Sequence, residues 1–131
     1  TLRELRDQGA ASESSLADIA DKLADYPHEW PSDIPKVAEL TDISGYLNVS
    51  DKRINIDLSG KVLSSGDDAF ALYIKQLETA GFVTLNVTKE FDMNRGQFEK
   101  DSYYLTVGSN IVHARTNREY HELGITIVIT K

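Results

Sequence analysis

The sequence contains no cysteine among its 131 residues. Zinc sites built on thiolates, iron–sulfur clusters and cysteine nucleophiles are therefore excluded. The chain also has no apolar run close to the roughly 18 residues that a membrane span needs, so we expect no direct membrane insertion of this segment. Neither a phosphate-binding Gly-x4-Gly-Lys-Ser/Thr loop nor a Gly-x-Ser-x-Gly elbow occurs, since Val62 follows Gly60-Lys61. We predict no catalytic, cofactor-binding or metal-binding residue and no cofactor.

Positive charge is scarce, because 14 lysine and arginine residues stand against 21 aspartate and glutamate residues, for a net charge of −7. An acidic surface repels phosphate groups, so we expect neither a nucleic acid partner nor association with anionic lipid. A chain of this length forms one domain that buries about two-thirds of its unfolded surface. Such a domain is stable without disulfides or metal.

The clearest pattern in the chain is a helix that runs directly into a strand, within residues 67–87. Four apolar residues have the spacing of one helical face: Phe70, Tyr73, Ile74 and Leu77. Gly81 suits the left-handed conformation that ends a helix. Three apolar residues then alternate with polar ones, at Val83, Leu85 and Val87. The period changes from 3.6 to 2, which predicts a half-buried strand.

Most of the chain from Ile43 onward has the alternating pattern of strands. We predict a hairpin around a turn at 50–52, then strands at 82–91, 98–107, 111–115 and 125–130. Turns are predicted at 92–96 and 108–110, and residues 116–123 are ambiguous. Most connections are too short for parallel crossovers. The predicted fold is therefore α+β and two-layered, with a mostly antiparallel sheet of five to six strands in the order β-β-α-β-β-β-β and one main helix on one face. We expect the helix residues Phe70, Ile74 and Leu77 to pack on Ile54, Ile56, Leu85, Leu105 and Ile127.

The first 26 residues differ in composition from the rest and are predicted to form a tether and a short helix ahead of a single domain at 27–131. Ser14 or Ser15 suits the start of a helix that ends before Pro27. Its apolar stripe is Leu16, Ile19, Ala20 and Leu23. A heptad pattern over the same stretch leaves open a helix that binds a protein partner. The single tryptophan, Trp30, is predicted to anchor the following segment on the core.

Histidines and carboxylates supply the candidates for chemistry. His113, His121, Glu119 and Glu122 are the candidates for a metal site, but zinc ligands usually have tighter spacing on a regular element, so we interpret the histidines as solvated surface groups. The acidic pairs are Asp67/Asp68, Glu90/Asp92 and Glu99/Asp101. Nothing in the pattern places two of them across a cleft, so helix capping and solvated loops are the favoured interpretation. Asp92, Asn94 and Gly96 open like a calcium loop, but Tyr103 stands where its final glutamate belongs.

Several aromatic residues are candidates for a ligand groove or a protein interface, where aromatics are favoured. They are Trp30, Tyr46, Phe98, Tyr103, Tyr104 and Tyr120. Aromatics on alternating strands also occur in ordinary sheet packing, which is the favoured interpretation here. The ligand class stays open.

The layout resembles small domains of unknown function in bacterial extracytoplasmic lipoproteins. The matching segments are Trp30-Pro31, Ile34-Pro35 and Tyr73-x3-Leu77-x3-Gly81-Phe82. The resemblance implies an export signal or lipid anchor upstream, a place in the cell envelope or outside the cell, and a non-enzymatic binding or structural role. A start at Thr1 rather than Met is expected either from a removed signal or from an arbitrary boundary.

Two other hypotheses compete with this interpretation. One is a protein-interaction module that uses the 14–26 helix or an open sheet edge, with 125–130 as the most β-prone segment. The other is a small hydrolase that uses the carboxylates or His113 and His121.

Overall fold

The computed structural model describes residues 21–37, 39–91, 93–113 and 119–131. These residues form seven strands and one helix: β1 (Asp21–Leu23), β2 (Leu40–Val49), β3 (Arg53–Val62), α1 (Gly66–Thr79), β4 (Val83–Glu90), β5 (Met93–Lys100), β6 (Tyr103–His113) and β7 (Glu119–Thr130). The predicted α+β class with an antiparallel sheet is confirmed. The described helix is not long and apolar enough to cross a membrane.

All seven strands belong to one sheet in the order β1-β2-β3-β7-β6-β5-β4, and every neighbouring pair is antiparallel. The segment that contains α1 takes the chain from β3 to the far edge of the sheet. Strands β4, β5 and β6 then return as a meander, so that β7 pairs with β3 on one side and β6 on the other. The sheet thus has one or two strands more than predicted.

Local sequence signals account for α1. The Ser65 side chain accepts a hydrogen bond from the Asp68 N–H at 3.1 Å, and Asp67 and Asp68 complement the positive end of the helix dipole. After the helix, Gly81 adopts a φ of 98°, as predicted for a residue that ends a helix. The buried face includes Phe70, Tyr73 and Leu77, whereas Ile74 is only partly buried.

The hydrophobic core lies between α1 and one face of the sheet. Strand residues on this face are almost fully buried: Ile56, Leu58, Phe98, Leu105, Val107, Leu123, Ile125 and Ile127. Trp30 is buried beside them, and its Nε1–H donates to the Ile34 carbonyl oxygen at 2.9 Å. The Tyr73 hydroxyl donates to the Pro35 carbonyl oxygen at 2.7 Å, and burial raises the pKa of Tyr73. These contacts hold the segment before β2 on the core, as predicted for Trp30.

Two predicted turns are wrong, and the reason is the same for both. Residues 93–96 begin β5 and residues 108–110 lie inside β6, so their glycine and asparagine residues occur in strands rather than in turns. The chain turns instead at Phe91, with a φ of 54°, and at Asp101, with a φ of 53°. The segment 98–107, which we predicted as one strand, therefore contains the end of β5, the turn at Asp101 and the start of β6. The ambiguous polar stretch contributes residues 119–123 to β7.

Strand β4 is at the edge of the sheet and is exposed along its length. Val83, Leu85 and Val87 are 59%, 48% and 46% exposed, so the prediction that Leu85 lies in the core is wrong. The alternating pattern identified the strand but not its position at the edge, where neighbours are present on one side only. The register shifts between Thr84 and Asn86, which is a β-bulge at Leu85.

The predicted N-terminal helix is not present over its last residues. Asp21–Leu23 form β1, which pairs with Gly45–Leu47 of β2. A short helix is marginal in water, whereas a strand edge offers backbone hydrogen bonds at once. Leu23 still packs against the core. Residues 1–20, with the predicted tether and the start of the predicted helix, lie outside the described residues.

Candidate binding trough on the outer face of the sheet

The face of the sheet that points away from α1, here called the outer face, is not covered by any described element. A row of small residues crosses this face. Ser44 on β2, Ser59 on β3, Gly124 on β7 and Gly108 on β6 are successive register partners. Arg95 on β5 is the next partner and ends the row. Because neighbouring strands lie about 4.8 Å apart, the row is about 19 Å long. We call it the outer trough.

Polar side chains form the two walls of the outer trough. Asp57, Thr126 and Thr106 are register partners along one wall, and Glu122 and Asn110 are partners along the other. The half of the trough over the two glycines has a volume of about 330 Å³, and the half over the two serines about 360 Å³. Asp57 lines both halves, so its carboxylate lies near the middle of the trough.

The two glycines of the trough floor are not required by the backbone. Of the described glycines, Gly81 is the one with a positive φ. A Cβ atom on Gly124 would approach no atom closer than 3.7 Å, and one on Gly108 none closer than 3.4 Å, which are ordinary contact distances. Glycine inside a strand costs about 0.5–1 kcal/mol relative to alanine. Gly108 and Gly124 therefore weaken the strands without relieving strain, and their structural effect is an open floor.

Charges of both signs surround the outer trough. Asp57 and Glu122 lie in its walls, Arg95 lies at one end, and Lys22 lines the other. Lys61, the register partner of Glu122, instead contacts Asp42 at 3.2 Å and lies 4.5 Å from the centre of the Tyr120 ring. The trough is thus locally balanced in charge although the chain carries a net charge of −7.

The structure divides the six candidate aromatic residues between the two faces. Trp30 and Phe98 are buried in the core, and the Tyr103 ring stacks on Phe82 with a centroid distance of 6.3 Å. The outer face carries the other three: Tyr46, Tyr104 and Tyr120. Tyr46 is the register partner of Asp57 and is 52% exposed, so it lies beside the trough with its ring accessible. The interpretation as ordinary packing therefore holds for Trp30, Phe98 and Tyr103 only.

By register, three of the four residues considered for a metal site lie on one face of the sheet and the fourth lies on the other. Glu119 is the register partner of His113, and His121 is two positions along β7 from Glu119. The His121 Nδ1 atom accepts a hydrogen bond from the Gly66 N–H at 2.8 Å, so His121 binds the start of α1 and is not the solvated group that we predicted. Glu122 is on the outer face. No group of three metal-binding side chains occurs within the described part of the chain.

Asp67 holds α1 to the edge of the sheet. Its carboxylate accepts hydrogen bonds from Lys89 Nζ at 2.8 Å and from Asn94 Nδ2 at 2.7 Å. These two bonds lower the pKa of Asp67, with Lys89 as the larger cause. The buried Asn94 also donates to the Ser109 Oγ atom at 3.0 Å. This network is a structural link between α1, β4, β5 and β6, whereas the helix is capped by Ser65.

The other acidic pairs are also not brought together as a site. Glu99 lies on β5 as the register partner of Tyr104, and Asp101 is in the turn that follows. Glu90 pairs with Met93 at the end of β4, and Asp92 lies outside the described residues.

Sequence reasoning missed the trough residues Asp57, Thr106 and Thr126. Each alternates with apolar residues in its strand, and polar residues at such positions usually face solvent, so the pattern does not mark them as a site. The pairing of the two glycines across β6 and β7 is a property of register, and a single strand pattern does not contain it. No family model, no curated protein and no solved structure matches this chain.

Proposed function

We propose that this chain is a non-enzymatic binding domain and that the outer trough is its binding site. The observation that carries the proposal is the open floor formed by Gly108 and Gly124, two directly paired glycines in the central strands with no conformational need to be glycine. Binding sites are concave and have a few convergent polar groups. The floor and the two walls supply both features.

The two carboxylates of the trough lie in opposite walls. Glu122 lies four positions along β7 from Thr126, the register partner of Asp57. The Cα atoms of Asp57 and Glu122 are therefore about 13 Å apart along the strands. This spacing leaves room for a ligand between the two walls. The extracytoplasmic location and upstream anchor stay separate predictions, on which this proposal does not depend.

Two substitutions that fill the floor at Gly124 test the proposed function. The smaller one is expected to raise stability, and the larger one is expected to abolish binding. We expect Gly124→Ala to raise the free energy of unfolding by about 0.5–1 kcal/mol, since alanine is better tolerated than glycine in a strand and its Cβ atom meets no clash. We expect Gly124→Leu to block the trough. Urea denaturation of the parent and of Gly124→Ala measures the change in the free energy of unfolding.

Binding is measured by nuclear magnetic resonance titration of the ¹⁵N-labelled parent with neutral sugars, amino acids and short peptides. Shift changes centred on the Gly108 and Gly124 amides in the parent, and lost in Gly124→Leu, are the expected result. Changes centred elsewhere, or equal in both proteins, would count against the outer trough.

A second candidate function is association through the sheet edge. The edge is not at 125–130 as predicted, because β7 is paired on both sides. The edge strands of the described sheet are the three-residue β1 and the longer β4. In β4, Val83, Leu85 and Val87 are exposed, and the adjoining Phe91 and Met93 are exposed as well. Unpaired edge strands bind other strands through their backbone groups. The bulge at Leu85 and the edge residue Lys89 work against such pairing.

Sedimentation velocity over a range of protein concentrations tests this second candidate, with a second copy of the chain as the partner. Association through β4 requires that the parent dimerises and that Val87→Lys stays monomeric, because a charge in the middle of the paired edge opposes burial. The control is Leu72→Lys, which changes an exposed residue of α1 that is 53% accessible. A parent that stays monomeric at millimolar concentration removes this candidate.

A further inference from the structure

We infer that the ligand of the outer trough is a short neutral oligosaccharide that lies across the strands, with one sugar ring stacked on Tyr46 and sugar hydroxyls bound by Asp57. This inference rests on the proposed function and names the chemical class of its ligand. Four observations carry it: the composition of the walls, the position of Asp57, the exposed ring of Tyr46, and the paired backbone beneath the trough.

The walls of the trough match the hydrogen-bonding groups of a sugar. Thr106 and Thr126 have hydroxyl groups that donate and accept, Asn110 has an amide that does both, and the carboxylates accept. A sugar presents many hydroxyl groups that also donate and accept. Since the charges around the trough are balanced, a neutral ligand meets no strong net field there. A polyanion would be repelled by the overall charge of −7.

Asp57 is placed to contact a ligand that extends over both halves of the trough. It lines the volume above the glycines and the volume above the serines. The Thr126 hydroxyl lies 3.5 Å from the Asp57 Oδ1 atom, which leaves other acceptor positions of the carboxylate directed to solvent. A carboxylate with exposed oxygens accepts from two neighbouring hydroxyls of one sugar ring. Hydrogen bonds to a charged acceptor are stronger than those between neutral groups.

Tyr46 supplies an apolar platform beside this carboxylate. Register partners in a sheet have Cβ atoms about 4.5–5.5 Å apart, so the Tyr46 ring and the Asp57 carboxylate reach the same ligand unit. The tyrosine ring has an apolar face and a polar tip. The C–H face of a sugar ring fits against such a face while its hydroxyls point sideways, toward Asp57. The 52% exposure of Tyr46 leaves this face free among the described residues.

The backbone beneath the trough argues against an extended peptide. A peptide bound along a sheet takes its affinity from main-chain hydrogen bonds at an edge. Ser44 of β2 is paired on one side only, because β1 pairs just with Gly45–Leu47, but Ser59, Gly124 and Gly108 of β3, β7 and β6 pair with strands on both sides. Their backbone groups are already used, so recognition depends on side chains. Side-chain hydroxyls and carboxylates over a paired backbone suit a polyhydroxylated ligand better than a polypeptide.

The experiment is isothermal titration of the parent chain with four neutral trisaccharides: maltotriose, cellotriose, xylotriose and chitotriose. Tri-alanine peptide is the comparison probe. We expect at least one trisaccharide to bind and tri-alanine not to bind. Tyr46→Ala and Asp57→Asn should each weaken trisaccharide binding about tenfold or more, because each removes one of the two main contacts. Tyr46→Phe keeps the ring and should bind within a few-fold of the parent, which separates stacking from any loss of folding in Tyr46→Ala.

Asp51→Asn is the matched control for Asp57→Asn. It removes the same charge from the β2–β3 turn, outside the trough, and should leave binding unchanged. Trisaccharide binding that Tyr46→Ala and Asp57→Asn leave unaffected overturns the inference. If tri-alanine binds instead, with changes at the Gly108 and Gly124 amides that Gly124→Leu removes, the proposed binding function stands and the sugar inference fails. If no probe binds the trough, the inference is overturned, and an amide response to other small molecules decides the proposed function separately.

Discussion

Replacing Leu77 with alanine is expected to lower the free energy of unfolding by about 2–5 kcal/mol. Leu77 is fully buried on the face of α1 that packs on the sheet, so truncation removes apolar contacts and leaves a cavity that the surrounding strands fill only in part. A loss of this size is a large share of the stability of a domain of this length. Urea denaturation followed by circular dichroism measures it.

Leu72→Ala is the matched control, because it makes the same truncation on the same helix. Leu72 is 53% exposed, so its removal should cost much less. Ile74→Ala should give an intermediate loss, since Ile74 is only partly buried against the core. Equal losses at positions 72 and 77 would mean that α1 packs on the sheet through a different face.

Replacing Gly45 with alanine is expected to destabilise the domain by about 1–3 kcal/mol or more. A Cβ atom at Gly45 would overlap the Asp57 carbonyl oxygen of the neighbouring strand and come within 2.9 Å of the Leu58 Cα atom. Both are backbone atoms, so the strain has no side chain to relieve it and β2 must move away from β3. The free energy of unfolding from urea denaturation is again the measurement.

This prediction is tested by comparing the free energies of unfolding of Gly45→Ala and Gly124→Ala. The two substitutions are chemically identical and both lie in strands of one sheet, yet we expect opposite signs: destabilisation at Gly45 and slight stabilisation at Gly124. The difference follows from the space that each Cβ atom would enter. Two changes of the same sign would show that general strand propensity, rather than local space, controls these positions.

The sequence predicted α1 closely because its determinants are local. The apolar spacing from Phe70 to Leu77 and the stop at Gly81 lie within a few turns of one another, and the structure has a helix at Gly66–Thr79. The strand patterns also predicted the antiparallel character and the short links. The strand ends were less predictable, because the chain turns at Phe91 and Asp101, and neither residue type by itself indicates a turn there.

The outer trough depends on information that no segment holds by itself. Ser59, Gly124 and Gly108 come from three strands, and they form one row only because β7 pairs with β3 and β6 in this register. A shift of one residue in either pairing would turn the row to the other face. The same pairing places the exposed edge at β4 rather than at 125–130. Register and strand order are set by the packing of the whole core, which is why the fold class was predictable and the site was not.

The central position of β7 has a consequence for how the protein is made. A ribosome produces the chain from its N-terminus, so the β1–β3 meander and the β4–β6 meander emerge before the strand that joins them. Until residues 119–130 leave the exit tunnel, β3 and β6 each present an unpaired edge and an apolar face. Nascent chains with exposed apolar surface and unpaired strand edges are prone to aggregate and are bound by chaperones. Completion of the sheet is therefore a late event that waits for the arrival of its innermost strand.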